Sequence, residues 1–267
     1  MLRRLAAFLL ICTMLFSASL QAAEKTKKTK SCGRYFPSDD LTAWHCVRLK
    51  KGQTLESLFD GKWQEVARFN RIDRRHVYPG ARIKVPKDLQ SINNYTPLPE
   101  LYPPADEYPK FILVMLSEQF LGAYEHGKLV FSAPVATGMD KYDTPHGHFR
   151  ITAYDPDHYS SKYFIEKTKI LYPMHWALRF FIDRQGNSFW MHGRDIPGYP
   201  ASHGCIGLYD EEMQKKYYGY PADPQLEDAR TLYKWAIGNA TDDGKFHNLA
   251  DGPEVFIADK IQFEKNR

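Results

Sequence analysis

The chain has 267 residues, of which 43% are hydrophobic and 25% are charged, and this composition is ordinary for a globular protein. It is long enough for one large or two modest domains with their own cores, and the composition excludes a disordered or fibrous protein. The formal net charge is only +4. Such a mildly basic balance implies no nucleic-acid partner.

Residues 1–22 have the pattern of a secretory signal peptide. Arg3 and Arg4 precede an apolar run over residues 5–20, and the small residues needed for cleavage follow in Gln21-Ala22-Ala23. Cleavage there removes both arginines and lowers the formal charge from +4 to +2. The alternative is an uncleaved membrane anchor, although the apolar run is short for a span. We therefore predict an exported protein of the periplasm.

The cysteines indicate one disulfide and one free thiol. Cys12 leaves with the signal peptide, and Cys32 lies in a basic lead-in over residues 23–43. Since export permits disulfides, we predict that Cys32 pairs with Cys46 and closes a short loop. Cys205 is then the odd cysteine, which makes it a candidate reactive thiol.

The pattern over residues 44–88 predicts a compact unit with the order strand, helix, helix, strand. Residues 45–49 are the first strand, and Thr54 can cap the helix that follows. The second helix ends near Asn70, and a turn at Tyr78-Pro79-Gly80 leads into the last strand.

A proline-rich stretch over residues 89–108 follows this unit. Its prolines alternate with polar residues and tyrosines, so we expect an extended, semi-rigid linker that holds two domains apart. Over residues 109–259, short strand patterns separated by turn residues predict a mainly antiparallel sheet fold, with late helices after Asp210 and Asp223. Residues 260–267 are a C-terminal tail.

Residues 190–208 combine one cysteine, two histidines and four glycines in one loop-rich segment. A free thiol is mostly protonated at neutral pH, so a catalytic cysteine needs a base or a positive neighbour. His192 and His203 are both candidates for that base. Backbone N–H groups around Gly204 and Cys205 could stabilise an oxyanion.

Three other interpretations of this segment are open. Cys205 can be a buried structural cysteine flanked by core histidines. His192, His203 and Cys205 can be zinc ligands, although no fourth ligand at a familiar spacing is evident. The loop can also bind a ligand without performing catalysis.

Several short blocks keep a fixed order within residues 44–88. They are Val47, Lys51-Gly52-Gln53-Thr54-Leu55, Phe69-Asn70, Val77-Tyr78-Pro79-Gly80 and Ile83-Lys84-Val85-Pro86. Together they resemble a lysin-motif (LysM) domain, and the resemblance implies binding to glycan that contains N-acetylglucosamine, chiefly peptidoglycan. The alternative is a small βααβ domain that only packs.

A second set of blocks lies in the C-terminal region. They are Val135-Ala136-Thr137-Gly138, residues 144–151, residues 172–181, His192-Gly193 and Ser202-His203-Gly204-Cys205-Ile206. They resemble the L,D-transpeptidase catalytic domain over residues 109–259.

This resemblance implies a β-sandwich with late helices and assigns roles to single residues. Cys205 would be the nucleophile and His192 its base, with the imidazole oriented by a backbone carbonyl near Gly193. His203 and Gly204 would shape the oxyanion site. Substrate contacts are implied for Tyr172, Met174, Arg179 and Ser202. No metal and no organic cofactor is implied.

The implied substrate is the tetrapeptide stem of peptidoglycan. The thiolate would attack the carbonyl between meso-diaminopimelate and the terminal D-alanine, form a thioester and release D-alanine, and an amine of another stem would then form a 3→3 cross-link. With water as acceptor the activity would be an L,D-carboxypeptidase. A lysine of an envelope lipoprotein would give anchoring, and hydrolysis of such a link would give detachment. A non-catalytic peptidoglycan-binding protein is the alternative of a different class.

Gly207 is the main departure from the family, since many members carry arginine or asparagine at this position. If that side chain normally holds substrate, Arg179 or Arg194 could replace it here. The need for thiolate also predicts that activity falls at acid pH, near the ordinary histidine pKa of about 6.5.

Overall fold

The structure is a computed structural model and describes residues 32–261. The predicted signal peptide, the start of the basic lead-in and the end of the predicted tail lie outside the described residues. Within the described range, no helix is long and apolar enough to cross a membrane.

The described residues form fourteen strands and four α-helices. The strands are β1 (Trp44–Arg48), β2 (Arg82–Pro86), β3 (Phe111–Met115), β4 (Phe120–Glu125), β5 (Lys128–Pro134), β6 (Gly147–Arg150), β7 (Ala153–Asp155), β8 (Tyr159–Phe164), β9 (Leu171–Pro173), β10 (Ala177–Ile182), β11 (Ser188–Arg194), β12 (Ile206–Tyr209), β13 (His247–Asn248) and β14 (Glu254–Ala258). The helices are α1 (Leu55–Phe59), α2 (Trp63–Asn70), α3 (Glu211–Tyr218) and α4 (Asp228–Ile237).

Residues 111–258 form a sandwich of two five-stranded sheets. The first sheet has the order β5-β4-β3-β14-β6, and the second has the order β12-β11-β10-β7-β13. Neighbouring strands are antiparallel, except that β3 pairs with β14 and β11 pairs with β12 in parallel. The inner faces share one core, to which Ile112, Met191 and Val255 of the sheets and Leu232 of α4 belong. This confirms the predicted mainly β fold with late helices, although the second late helix begins at Asp228 and not directly after Asp223.

The segment over residues 89–108 is packed against the sandwich. Leu98, Tyr102 and Ala105 are buried in one cluster with Phe111 and Leu113 of β3. All five residues of β3 are apolar and buried, so this strand needs cover on both faces, and the segment covers the face that points away from the main core. The expectation of an extended linker that holds two domains apart is therefore wrong.

The N-terminal unit has its strands and helices in the expected order. β1 and β2 pair antiparallel, and Thr54 caps α1 by accepting a hydrogen bond from the backbone of the helix. The predicted disulfide joins Cys32 and Cys46, whose Cα atoms are 5.7 Å apart. α2 ends at Asn70, but the left-handed conformation belongs to Arg71, with φ of 52°. That this unit is a LysM domain stays a prediction.

This N-terminal unit shares a core with the sandwich. Leu55, Val66 and Phe69 of its two helices belong to the same buried cluster as Ile196 and Tyr209 of the sandwich. The two regions are therefore packed as one body, which the proline-rich composition between them did not indicate.

Asp73 is the main polar link between the two regions. Its buried carboxylate accepts hydrogen bonds from the Ile196 N–H at 2.7 Å, the Gln214 side chain at 2.9 Å and the His76 N–H at 3.0 Å. The Asp73 N–H in turn donates to the Ile196 carbonyl at 2.8 Å. Two ion pairs flank this link, Arg74 with Glu211 and Arg75 with Asp195. The link ends on the chain segment that runs between His192 and Cys205.

We expect Asp73→Ala to lower the free energy of unfolding by about 3 kcal/mol or more, because each buried donor left without a partner costs about 1–3 kcal/mol. Urea denaturation followed by fluorescence measures this loss. The matched control is Asp88→Ala, since Asp88 is exposed and, within residues 32–261, its carboxylate accepts only the hydrogen bond from the nearby Gln90 N–H. The control should lose about 1 kcal/mol or less. Equal losses in the two variants would contradict the assigned role of Asp73.

Candidate active site

His192 and Cys205 lie on neighbouring chain segments, because β11 pairs in parallel with β12, which begins directly after Cys205. Met191 is opposite Ile206 in this register, and His192 is opposite Gly207. Met191 and Ile206 belong to the sandwich core, and successive side chains of a strand point to opposite faces. His192 and Cys205 therefore both point away from that core, on the same side of the sheet.

The two side chains line one cavity of about 800 Å³. Tyr172, Met174 and Ser202, three of the predicted substrate contacts, line the same cavity. Strands β8 and β9 pair with each other and supply part of its wall. The sequence motif thus coincides with a large cavity, which is the usual kind of place for a ligand.

His192 is held in one orientation by the backbone. It is only 3% exposed, and its Nδ1 lies 2.8 Å from the carbonyl oxygen of Gly193. A carbonyl can only accept, so Nδ1 carries the proton and Nε2 is left as an acceptor. Burial lowers the pKa of His192 to about 3, with the Gly193 carbonyl opposing the shift and the charge of Arg194 adding to it. The imidazole is therefore neutral at physiological pH.

Cys205 is half-buried and is the one free cysteine among residues 32–261. Burial raises the pKa of its thiol above the ordinary value, while the backbone of Trp190 and the charge of Arg194 act in the opposite direction. The resting site therefore holds a neutral thiol and a neutral imidazole. Proton transfer from the thiol to Nε2 would accompany attack on a substrate and would not precede it.

The turn before Cys205 is closed by Ser202 and Gly204. The Ser202 hydroxyl donates to the Cys205 carbonyl at 2.5 Å and accepts from the Gly204 N–H at 3.1 Å. Gly204 has φ of 105°, and a Cβ there would lie 2.5 Å from the Phe189 ring, so only glycine fits. Ser202 was predicted to contact substrate and Gly204 to shape the oxyanion site. In the structure both fix the turn, and the Gly204 N–H is already engaged.

His203 takes a different position from His192. Its exposed ring stacks on Tyr163, with the centroids 4.3 Å apart, and meets the edge of Tyr142 at 4.4 Å. It forms part of the cavity rim. Of the two candidate bases, His192 is the one with a fixed and buried imidazole. Within the described residues, no group of three or more histidine, cysteine or acidic side chains is arranged to hold a metal ion.

Arg179 does not line the cavity. Its side chain, on β10, donates to Thr152 Oγ1 at 3.3 Å and to Asn248 Oδ1 at 3.4 Å. The predicted substrate contact of Arg179 therefore has no counterpart in this arrangement. Arg194 does line the cavity, next to His192 and Cys205.

A buried pair behind Gly193 was missed by sequence reasoning. Asp210 Oδ2 lies 3.7 Å from His175 Nδ1 and has no hydrogen-bond partner among the described residues. A Cβ at Gly193 would lie 2.1 Å from the same oxygen, so this glycine is required for packing as well as for its carbonyl. Burial raises the pKa of Asp210 to about 6. The sequence indicated only the cap that Asp210 forms on α3 through its other oxygen, 2.9 Å from the Met213 nitrogen.

Comparison with protein families matches residues 109–245 to the L,D-transpeptidase catalytic domain, YkuD. The chain belongs to this family. The match includes His192 on β11 and Cys205 just before β12, and it supports the L,D-transpeptidase fold for the sandwich. A comparison with curated proteins found no match.

Solved L,D-transpeptidase structures are similar to this chain at low sequence identity. One from Xylanimonas cellulosilytica is 18% identical, with 73% of this chain and 79% of that chain covered and a TM-score of 0.41. One from Stackebrandtia nassauensis is 23% identical, with 57% and 56% covered and a TM-score of 0.37. One from Mycobacterium tuberculosis is 17% identical, with 56% and 57% covered and a TM-score of 0.35. The chain thus spans little more than half of the second and third structures.

The lowered pKa of His192 changes the expected pH dependence. A base that stays neutral down to about pH 3 keeps accepting protons at mildly acid pH. We therefore expect the rate at which a carbapenem acylates Cys205 to change little between about pH 7 and pH 5, instead of falling at the ordinary histidine pKa of ~6.5. Stopped-flow or quenched-flow mass spectrometry measures this rate.

The control for the pH experiment is Asp210→Asn, since the Asp210 carboxyl titrates at about 6. Any inflection near that pH that disappears in Asp210→Asn belongs to Asp210. A tenfold loss per pH unit below ~6.5 that persists in Asp210→Asn would show that His192 titrates normally.

Proposed function

We propose that this protein is an exported cysteine L,D-transpeptidase that acts on the tetrapeptide stems of peptidoglycan. The observation that carries the proposal is the presence of a half-buried free thiol, Cys205, and of a buried imidazole, His192, whose Nδ1 is committed to the Gly193 carbonyl. Both side chains line one cavity. This is the arrangement that a thiol nucleophile and its base require.

The reaction follows from these two groups. Nε2 of His192 takes the thiol proton as Sγ of Cys205 attacks the carbonyl between meso-diaminopimelate and D-alanine. When the tetrahedral intermediate collapses, the imidazolium returns that proton to the departing amine of D-alanine, and a thioester remains on Cys205. An acceptor amine then attacks the thioester, its proton passes to Nε2 and on to the sulfur, and the 3→3 cross-link and the free thiol are formed.

The oxyanion of the two intermediates needs a donor other than Gly204. The Gly204 N–H donates to Ser202 Oγ, so the N–H of Cys205, one residue further along the turn, takes this role in the proposal. The Ser202 bridge supports it by holding the turn on both sides of Cys205.

The N-terminal unit binds peptidoglycan glycan in this proposal, as its LysM-like blocks suggest. The turns that carry several of those blocks are exposed, with Tyr78 59% accessible and Lys51 and Gly52 at the surface. Because the unit shares a core with the sandwich, a bound glycan strand would be held at a fixed distance from Cys205. Co-sedimentation with purified sacculi tests this. Equal binding by Tyr78→Ala and by the wild type would argue against Tyr78 as a contact.

Intact-mass analysis with a carbapenem tests the nucleophile and the base together. We expect the wild type to gain the mass of one inhibitor, Cys205→Ala to gain none, and His192→Gln to react about 1,000-fold more slowly, since a positioned base contributes about 10²–10⁴-fold. His203→Gln is the matched control, because His203 lies at the rim, and it should react within tenfold of the wild type. No adduct on the wild type, or an equal adduct on Cys205→Ala, would refute the enzyme and favour a peptidoglycan-binding protein.

Analysis of the reaction products identifies the acceptor. Incubation with disaccharide-tetrapeptides should give cross-linked dimers and free D-alanine, detected by mass spectrometry. Tripeptide monomers alone would mean that water is the acceptor and that the protein is an L,D-carboxypeptidase. A product formed only with a lysine-bearing lipoprotein peptide would mean anchoring.

A further inference from the structure

Arg194 occupies the space that a side chain at position 207 would fill. The two residues lie on neighbouring strands, β11 and β12. A Cβ added to Gly207 would lie 1.8 Å from Cδ and 2.0 Å from Cγ of Arg194. These are atoms in the middle of the arginine side chain, so the whole stem would have to move. Gly207 is therefore the residue that lets Arg194 lie across the neighbouring strand.

Two backbone carbonyls hold the Arg194 guanidinium. Its Nε donates to the Asp195 carbonyl at 3.1 Å, and its Nη2 donates to the Ala201 carbonyl at 3.2 Å. A guanidinium has five N–H donors, so about three remain for another group. The orientation is fixed, and the unused donors belong to a side chain that lines the same cavity as Cys205.

Arg194 has no acidic partner among the described residues, and of the other half-buried or buried arginines there only Arg179, which lies outside the cavity, shares this property. Arg68, Arg71, Arg74 and Arg75 each pair with a carboxylate. Asp195, the neighbour of Arg194, gives its carboxylate to Arg75 at 2.6 Å and offers Arg194 only its carbonyl. A half-buried cation without an anion is costly unless a ligand supplies one.

The other cations near Cys205 are less suited to this task. Lys141 and Lys162 line the cavity but are exposed, and Lys162 donates to Asn187. Arg179 is outside the cavity and is engaged with Thr152 and Asn248. Of the arginine and lysine side chains that line the cavity, only Arg194 combines a fixed orientation, partial burial and free donors.

We infer that Arg194 binds a carboxylate of the ligand beside Cys205, and that Gly207 is required because it leaves room for Arg194. A guanidinium with several free N–H groups suits a carboxylate in particular, because the two groups can form two hydrogen bonds with each other. The assignment of this carboxylate to a peptide stem rests on the proposed function. The inference that the cavity binds a carboxylate is independent of that function.

Alkylation of Cys205 by a matched pair of reagents tests the inference. Iodoacetate carries a carboxylate, and iodoacetamide is its neutral counterpart of nearly the same size. Both react with the same thiolate, so the ratio of their rates cancels any change in thiol ionisation and reports recognition of the carboxylate. The rates are measured at one pH by mass spectrometry of the peptide that contains Cys205.

We expect Arg194→Gln to lower the iodoacetate-to-iodoacetamide ratio about tenfold, the factor that corresponds to losing one moderately strong charge-assisted contact. Glutamine keeps most of the stem over Gly207, so this variant should fold, and its thermal midpoint is checked against the wild type. Arg194→Lys should keep part of the ratio because it keeps the charge. Gly207→Ala should lower the ratio like Arg194→Gln, because its Cβ displaces the arginine stem.

The matched control is Arg179→Gln, which removes an arginine outside the cavity and should leave the ratio unchanged. An unchanged ratio in Arg194→Gln, or an equal loss in Arg179→Gln, would overturn the anion site. An unchanged ratio in Gly207→Ala would overturn the role given to Gly207. If Arg194→Gln lowers the ratio but the wild type reacts with no peptide stem, the anion site is supported and the proposed substrate is refuted. If the wild type turns over peptide stems but Arg194→Gln leaves the ratio unchanged, the proposed substrate is supported and the anion site is refuted.

Discussion

The parallel pairing of β11 with β12 is the constraint on which the rest of the site depends. It places His192 and Gly207 opposite each other and leaves Cys205 just outside the paired residues. Because Met191 and Ile206 are anchored in the core, a slip of one residue would turn His192 into the sandwich core and Met191 towards the cavity. The relative position of imidazole and thiol is thus determined by the same contacts that stabilise the sandwich.

The electrostatics of the pair follow from that burial. Desolvation lowers the pKa of His192 and raises the pKa of Cys205, so both groups rest in their neutral forms. A neutral thiol reacts slowly with oxidants and alkylating agents, since thiolate is the reactive species. Arg194 favours the thiolate and, in our inference, offers the ligand a positive charge. Reactivity would then rise when a substrate carbonyl and carboxylate are both in place.

The N-terminal unit contributes to the site without lining the cavity. Asp73 holds the backbone at Ile196, and Arg75 holds Asp195. These contacts lie in the segment between His192 and Cys205. The same segment contains the Asp195 and Ala201 carbonyls, which accept hydrogen bonds from the Arg194 side chain. In the proposed function, glycan binding and catalysis therefore occur on two regions that share one core.

The features that could be predicted from the sequence depend on residues within one short segment or motif, or on the expected compartment. Cys205, His192 and Gly193 share a short segment, and the pairing of Cys32 with Cys46 followed from the expected compartment. The features that sequence missed depend on contacts between distant residues. In the sequence Asp73 looks like an ordinary polar turn residue, and nothing in its neighbourhood indicates that Ile196 and Gln214 donate hydrogen bonds to its carboxylate. Likewise, the departure at Gly207 showed only an absent side chain, whereas the structure brings the Arg194 stem into that space.

His192 is a neutral imidazole fixed through its Nδ1 proton, and it lines the same cavity as the neutral Cys205 thiol. Nitrogen-15 NMR of the histidine-labelled protein tests this protonation state most directly, because the chemical shifts of the two ring nitrogens report the tautomer and its titration. We expect the His192 signals to show a protonated Nδ1 and an unprotonated Nε2, unchanged as the pH falls to about 5. A proton on Nε2 in the resting protein, or titration near the ordinary pKa of ~6.5, would contradict the account.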